Sequence, residues 1–188
     1  RVIHMGIGRA VCISDRRGIQ KIDVGAATFA PDCGIVNDAH RGTWHRQVSL
    51  LSYDKIEEFK RRGANVGPGA FGENMVVEGF DFRSLPVGTR FQCGDVLLEM
   101  TQIGKECHSH CQIYHKMGDC IMPREGVFAR VLHGRTIYVG DEMTAIPPAA
   151  DAPLRAAVVT LSDKGAACQR VDESGPAAVE LLEQAGYE

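Results

Sequence analysis

Short apolar runs, each cut off by glycine or proline within about ten residues, set the strongest limit on how this chain can fold. Gly8 to Ile13, Ile19 to Val24, Val48 to Leu51, Met75 to Val77, Gly94 to Met100, Gly126 to Leu132 and Thr136 to Asp141 are such runs. They are too short and too frequently interrupted for a helical bundle, and none approaches the roughly 20 apolar residues that span a bilayer. The pattern predicts a mainly β (α+β) domain, a barrel with a few helices, closing before Ile146.

The clearest helix lies between two of these runs. Ser52 stands at a capping position before Tyr53, Ile56 and Phe59 share one face, and Gly63 follows a basic last turn. Pro68 to Asn74 reads as a loop that delivers Glu73 and Asn74 to the edge of a strand. Residues 147–153 are proline- and alanine-rich and read as a linker, which bounds a β-barrel domain at 1–146. Beyond it, 154–188 reads as a short α/β fragment with a strand over Ala156 to Leu161 and a helix from Pro176 to Ala185.

Chemistry concentrates at Gly104-Lys105-Glu106-Cys107-His108-Ser109-His110-Cys111, with His115 and Cys120 close behind. Three of the seven cysteines and three of the seven histidines fall in this stretch. Cysteines can serve simply as small buried hydrophobes, but here they alternate with polar and charged residues. Cys107, Cys111, His115 and Cys120 offer a set of ligands for zinc, at spacings wider than those of paired-cysteine sites. Equally, Lys105 and His108 beside Cys107 are the groups that favour a reactive thiolate, and Cys111 is placed to resolve a persulfide. A second candidate is the stretch Asp38 to Gln47, where Arg41, His45 and Arg46 surround the single tryptophan, Trp44. Arginine forks and imidazoles suit a phosphate or another oxyanion.

A formal net charge of −3, without runs of like charge, points away from nucleic acid and from membrane surfaces. An odd number of unevenly placed cysteines fits free thiols in a reducing cytoplasm better than a disulfide framework.

Phe71-Gly72-Glu73-Asn74-Met75, the pair Val87-Gly88 and Gly94-Asp95-Val96-Leu97-Leu98-Glu99, and the cysteine after the next strand, Cys107, together resemble a MOSC domain, the module named after the C-terminal domain of molybdenum cofactor sulfurase. The resemblance implies a MOSC-type β-barrel that binds the molybdenum cofactor (molybdopterin) or its precursor, or carries sulfur, with Cys107 as molybdenum ligand or persulfide carrier. It also implies a role in cofactor maturation, with a cysteine-desulfurase-type, pyridoxal phosphate-dependent sulfur donor and a molybdoenzyme acceptor as partners. Asn74, Arg41, His45, Arg46, Lys105 and His108 are the expected cofactor-binding residues. Some family members reduce N-hydroxylated compounds. Many approach the cysteine through an arginine and a proline, where this chain has Gly104 and Glu106 with Lys105 between them. Val158 to Asp163 and Asp172 to Pro176 resemble the start of the molybdopterin adenylyltransferase and molybdopterin-binding family.

One strand, one loop and one helix bury too little surface to form a core of their own. Ending the chain after Pro148 should therefore leave the barrel's melting transition nearly unchanged in differential scanning calorimetry, whereas a large drop would show that the segment supports the barrel.

Overall fold

The computed structural model describes residues 4–107, 111–148, 158 and 174–184. The chain divides into two compact units, Arg1–Pro148 and Ala149–Glu188.

The first unit contains eleven strands: β1 (His4–Ile13), β2 (Ile22–Asp23), β3 (Ala26–Ala30), β4 (Gly34–Ile35), β5 (Val48–Ser52), β6 (Met75–Glu78), β7 (Arg90–Cys93), β8 (Val96–Ile103), β9 (Val127–His133), β10 (Thr136–Tyr138) and β11 (Glu142–Ile146). Seven of them close into a barrel in the order β1-β6-β5-β9-β8-β7-β11, and β11 returns to β1 with His4 opposite Ala145. All barrel pairings are antiparallel except β5 with β6. β2 pairs with the end of β1, and β10, β3 and β4 form a small separate sheet.

Side chains alternate between the two faces of each strand, and both faces of the β5 region are covered. Leu50, Met75, Val77, Val127 and Ala129 enter the barrel core, where Phe80, Phe82 and Phe91 pack with ring centroids 5.3–5.9 Å apart. Their neighbours Leu51, Val76 and Phe128, with Ala10 and Cys12 of β1, belong to a second apolar cluster on the outside. Three helices supply its other half: α1 (Tyr53–Arg61) through Ile56 and Phe59, α2 (Gln112–Met117) through Ile113, and α3 (Met122–Glu125) through Met122. This double covering explains why all five residues of β5 are buried.

The parallel step from β5 to β6 needs a crossover, and the chain makes it with α1 and the loop that follows. At its end Asn74, 1 % exposed, joins three segments. Its Nδ2 donates to the Cys12 carbonyl at 2.9 Å, and its Oδ1 accepts from the Ser49 amide and hydroxyl, both at 3.1 Å. Glu73, fully buried, accepts hydrogen bonds from the amides of Gly69 at 2.7 Å and Phe71 at 2.9 Å. Gly69 has φ +83°, and a Cβ there would strike the Lys21 carbonyl, so glycine is required where the loop presses on residue 21.

Several local expectations are corrected. The second strand shrinks from Ile19–Val24 to Ile22–Asp23. Ser52 occupies the cap position of α1 in extended backbone but makes no side-chain cap bond, because its hydroxyl is buried beside the strand it ends. Two short helices interrupt the segment after Cys107, with Cys111 at the N-cap position of α2 and Cys120 in the connection between α2 and α3. Both helices are too short to show an apolar period. In the second unit, α4 (Ser174–Gln184) covers the expected helix, starting two residues earlier. The strand expected over 156–161 lies outside the described residues except for Val158.

Burial pushes the Glu73 carboxyl up to about 7, outweighing its two amide donors and the nearby Lys21 charge. A carboxyl held above its unfolded value stabilises the fold while it is protonated. That contribution is complete below about pH 4.5 and lost as pH rises through about 7. Wild type should thus lose about 3 kcal/mol relative to Glu73→Gln across that window, read from urea unfolding. Parallel profiles would mean that the carboxyl is ionised throughout.

Candidate functional site

The segment after β8 is anchored before it reaches Cys107. Gln102 Nε2 donates to the Gly104 carbonyl at 2.8 Å, the Gly104 amide donates to Gly126 at 2.7 Å, and the Lys105 amide to Pro123 at 3.1 Å. Gly104 has φ +67°, and a Cβ would collide with the Pro123 carbonyl, so this turn against α3 admits only glycine. Cys107 therefore follows backbone tied to α3 on one side and β8 on the other. Rigid backbone of this kind can aim a sulfur.

Cys107, Cys111 and Cys120 line a cavity of about 220 Å³, with Tyr114, Pro123 and Arg124 completing much of its wall. Cys107 and Cys111 are exposed and Cys120 is half-buried. Burial pushes the Cys120 thiol up to about 11, and the two neighbouring cysteines push the same way while Lys105 opposes them. Asp119 fixes the floor: its carboxylate accepts from Arg124 Nη1 at 2.6 Å, Arg62 Nη1 at 2.9 Å and the Cys120 amide at 2.8 Å. Those donors, Arg124 foremost, hold the Asp119 carboxyl well below the usual carboxylate range. Among the described residues, no group of three or more His, Cys, Asp or Glu side chains gathers at metal-binding distance. Cys107, Cys111, His115 and Cys120 thus do not form the four-ligand arrangement that zinc requires. His108, an expected cofactor contact, lies outside the described residues, as do Ser109 and His110.

The loop after β4 supplies arginine and histidine side chains. Arg46 is half-buried, its guanidinium 4.6 Å from the Trp44 ring centre and 5.5 Å from that of Phe128, and its Nε is buried with no hydrogen-bond partner among the described residues. His45 Nδ1 lies 3.3 Å from the Thr101 hydroxyl, which donates to the His45 carbonyl at 2.7 Å, so His45 is tied to β8. Arg41 is exposed on the same loop. Asn74 is placed differently from the other expected ligands: its amide is spent on the Cys12 and Ser49 contacts behind the site.

Sequence reasoning missed the ion pair beneath this loop. Lys21 and Asp38, with side chains 1 % and 0 % exposed, meet at 2.5 Å, and His40 Nδ1 lies 3.2 Å from the Lys21 ammonium. The only signal was Asp38 two residues before His40; Lys21 looked like any lysine after a polar turn. Lys105 links the two regions, since its charge acts on both Cys120 and His40. The larger cavity, about 330 Å³ between β1, β3 and β10, has no thiol, imidazole, carboxylate or cation in its wall.

The architecture is that of a small closed β-barrel with a cysteine-lined cavity beyond the end of one long strand. Residues 37–144, more than half of the chain, match the MOSC domain family, and the chain belongs to that family. Among solved structures it is similar to the YuaD protein of Bacillus subtilis, with a TM-score of 0.66 and 19% identity over 79% of this chain and 99% of that one. YiiM from Geobacillus stearothermophilus gives a TM-score of 0.55 at 19% identity, covering 79% of this chain and 78% of its own. YiiM from Escherichia coli gives 0.55 at 16% identity, covering 97% and 87%. At these identities the likeness is one of fold. No curated protein sequence matches the chain. Among the described residues no helix is long and apolar enough to cross a membrane.

Thiol accessibility and acidity together predict an order of reactivity. Burial pushes Cys12 and Cys93 up to about 12, which leaves a thiolate fraction on the order of 10⁻⁵ at pH 7. Brief alkylation at neutral pH followed by peptide mass spectrometry should label Cys107 and Cys111 first, Cys120 more slowly, and Cys12 and Cys93 only after unfolding. Uniform labelling would contradict the burial described here.

Proposed function

We propose that this chain binds the molybdenum cofactor or its precursor and handles sulfur for it through Cys107. The observation that carries the reading is the grouping of three thiols around one cavity, beside Lys105, within the segment that matches the MOSC family. The donor set suits the ligand. Thiolate sulfur is a soft partner for molybdenum, and Arg46, with its unpartnered buried Nε, suits an anionic oxygen of the pterin's phosphate arm. When bound, the cofactor supplies a redox-active molybdenum centre. The protein's part is to hold it with Cys107, Lys105, His45 and Arg46 and to present sulfur beside it; Arg41 and His108 are further candidate contacts.

For sulfur carriage, the Cys107 thiolate attacks the terminal sulfur of a persulfide on a donor protein of the cysteine-desulfurase type. The donor's S–S bond breaks, the donor leaves as a thiolate, and Cys107 becomes a persulfide. A Cys111 thiolate attacking Cys107 Sγ then forms a disulfide and expels hydrosulfide, which reduces the carried sulfur as the two thiols are oxidised. The acceptor is a molybdoenzyme or its cofactor. The resemblance of residues 154–188 to the start of a molybdopterin-binding α/β domain supports reading both units as parts of one pathway.

Cys107→Ser should abolish molybdenum retention, measured by elemental mass spectrometry, or persulfide formation, measured by a 32 Da mass shift of sulfur; Cys111→Ser should reduce sulfide release only in part. Charge-assisted hydrogen bonds contribute about 1.5–3 kcal/mol, so Arg46→Ala should weaken cofactor binding roughly tenfold or more. Retention of both metal and persulfide by Cys107→Ser would remove this cysteine from the mechanism.

A further inference from the structure

A charged pair as deeply buried as Lys21 and Asp38 seldom adds stability, because desolvating both ions offsets their attraction. Its contacts show what else it does. Asp38 Oδ1 accepts from Lys21 Nζ at 2.5 Å and from the Ser14 amide at 3.0 Å, while Oδ2 accepts from the His40 amide at 3.1 Å. The carboxylate therefore fixes the backbone that carries His40. The remaining face of the Lys21 ammonium meets His40 Nδ1 at 3.2 Å.

An ammonium has hydrogens to give and no lone pair to receive one. His40 Nδ1 must therefore accept, and the ring proton resides on Nε2. The ring is about one-third exposed, and no side chain or carbonyl among the described residues accepts from Nε2. Of the charged groups that act on the ring, Lys21, Arg17 and Lys105 are positive and Asp38 alone is negative. Arg17 is held close by by its Nε bond to the Ala39 carbonyl at 3.2 Å.

We infer that His40 Nε2–H, with Arg17 and Lys105 as the positive charges that act on it from solvent-accessible positions, forms a seat for an oxyanion of the phosphate class, with the buried Lys21–Asp38 pair imposing the ring's tautomer. The inference deepens the cofactor reading by adding to Arg46 a second contact for the oxygens of the ligand's anionic end, and it rests on that reading only for the ligand's identity. The pair makes His40 a donor in one fixed sense, so no proton has to be rearranged when an anion arrives. Burial, with Lys21 next, pulls the imidazole below its usual range, in keeping with a neutral donor near neutral pH. Arg17 and Lys105 supply the net positive charge that a neutral imidazole lacks.

The test is long-range proton–nitrogen NMR of the full chain labelled at histidine, with His40 assigned through His40→Gln. Between pH 6 and 8, His40 should show the Nε2–H tautomer, and millimolar inorganic phosphate should shift its resonances. Arg17→Gln combined with Lys105→Gln, both changes at solvent-accessible side chains, should weaken that response at least tenfold. Lys21→Met should let His40 protonate against Asp38 and raise its pKa by at least one unit; the wild-type tautomer decides the matter even where this variant fails to fold. An Nδ1–H tautomer, ordinary titration to imidazolium, or a phosphate response indifferent to the double substitution would overturn the seat. Absence of any phosphate response in the wild-type chain, with persulfide formation at Cys107 intact, would reject the seat alone and leave the cofactor reading standing.

Discussion

The single parallel pairing in the barrel, β5 with β6, begins at one buried amide side chain that ties it to β1. Asn74 accepts from Ser49 on β5 and donates to the carbonyl of Cys12 on β1, so it closes three strands at a point where the crossover through α1 has to return. In a dry interior such a bond is strong and its loss is costly, since each buried partner would be left without a substitute. The neighbouring Glu73 gathers the loop amides of Gly69 and Phe71, and that loop in turn presses on Lys21. The ion pair under the His40 loop is thereby coupled to the closure of the barrel, and the rim inherits its geometry from the core.

The thiols divide along the same lines. Cys12 and Cys93 face apolar packing and serve as small hydrophobes, whereas Cys107 and Cys111 stand on the far side of a glycine turn that no other residue could make. Asp119, clamped by Arg62 and Arg124, spends the strongest local positive charge on structure, which leaves Lys105 as the cation common to the cysteine cavity and the His40 loop. The helices α2 and α3 thus act as a wall for the cavity and as a lid on the outer apolar cluster at once.

Much of the barrel was legible in the sequence because alternating apolar runs, glycine turns and the α1 periodicity are local signals. The cysteine grouping was equally plain, and three of its members do line one cavity. What escaped was everything set by contacts distant in the chain. Lys21 reads as a surface lysine until it meets Asp38, and Asn74 reads as a turn residue until β1 and β5 arrive beside it. Arg46 was singled out for its charge, but its stacking between Trp44 and Phe128 depends on β9, some eighty residues later. The helices flanking Cys120 are too short for any periodicity to declare them.

The seam between β1 and β11 has a consequence for how the barrel is made. The first strand finds one of its two barrel neighbours only when the last strand of the barrel exists, with His4 to Ile7 opposite Glu142 to Ala145. During synthesis on the ribosome β1 can pair with β6 and β2 early, but the His4–Ile7 stretch of its other edge, with the exposed Met5 and Ile7 on it, stays open until nearly the whole barrel sequence has emerged. Closure is then a late, long-range event, slow to nucleate by its topology. A chain stalled before β11 would present an unpaired strand edge, the kind of surface that chaperones bind and that neighbouring nascent chains can extend.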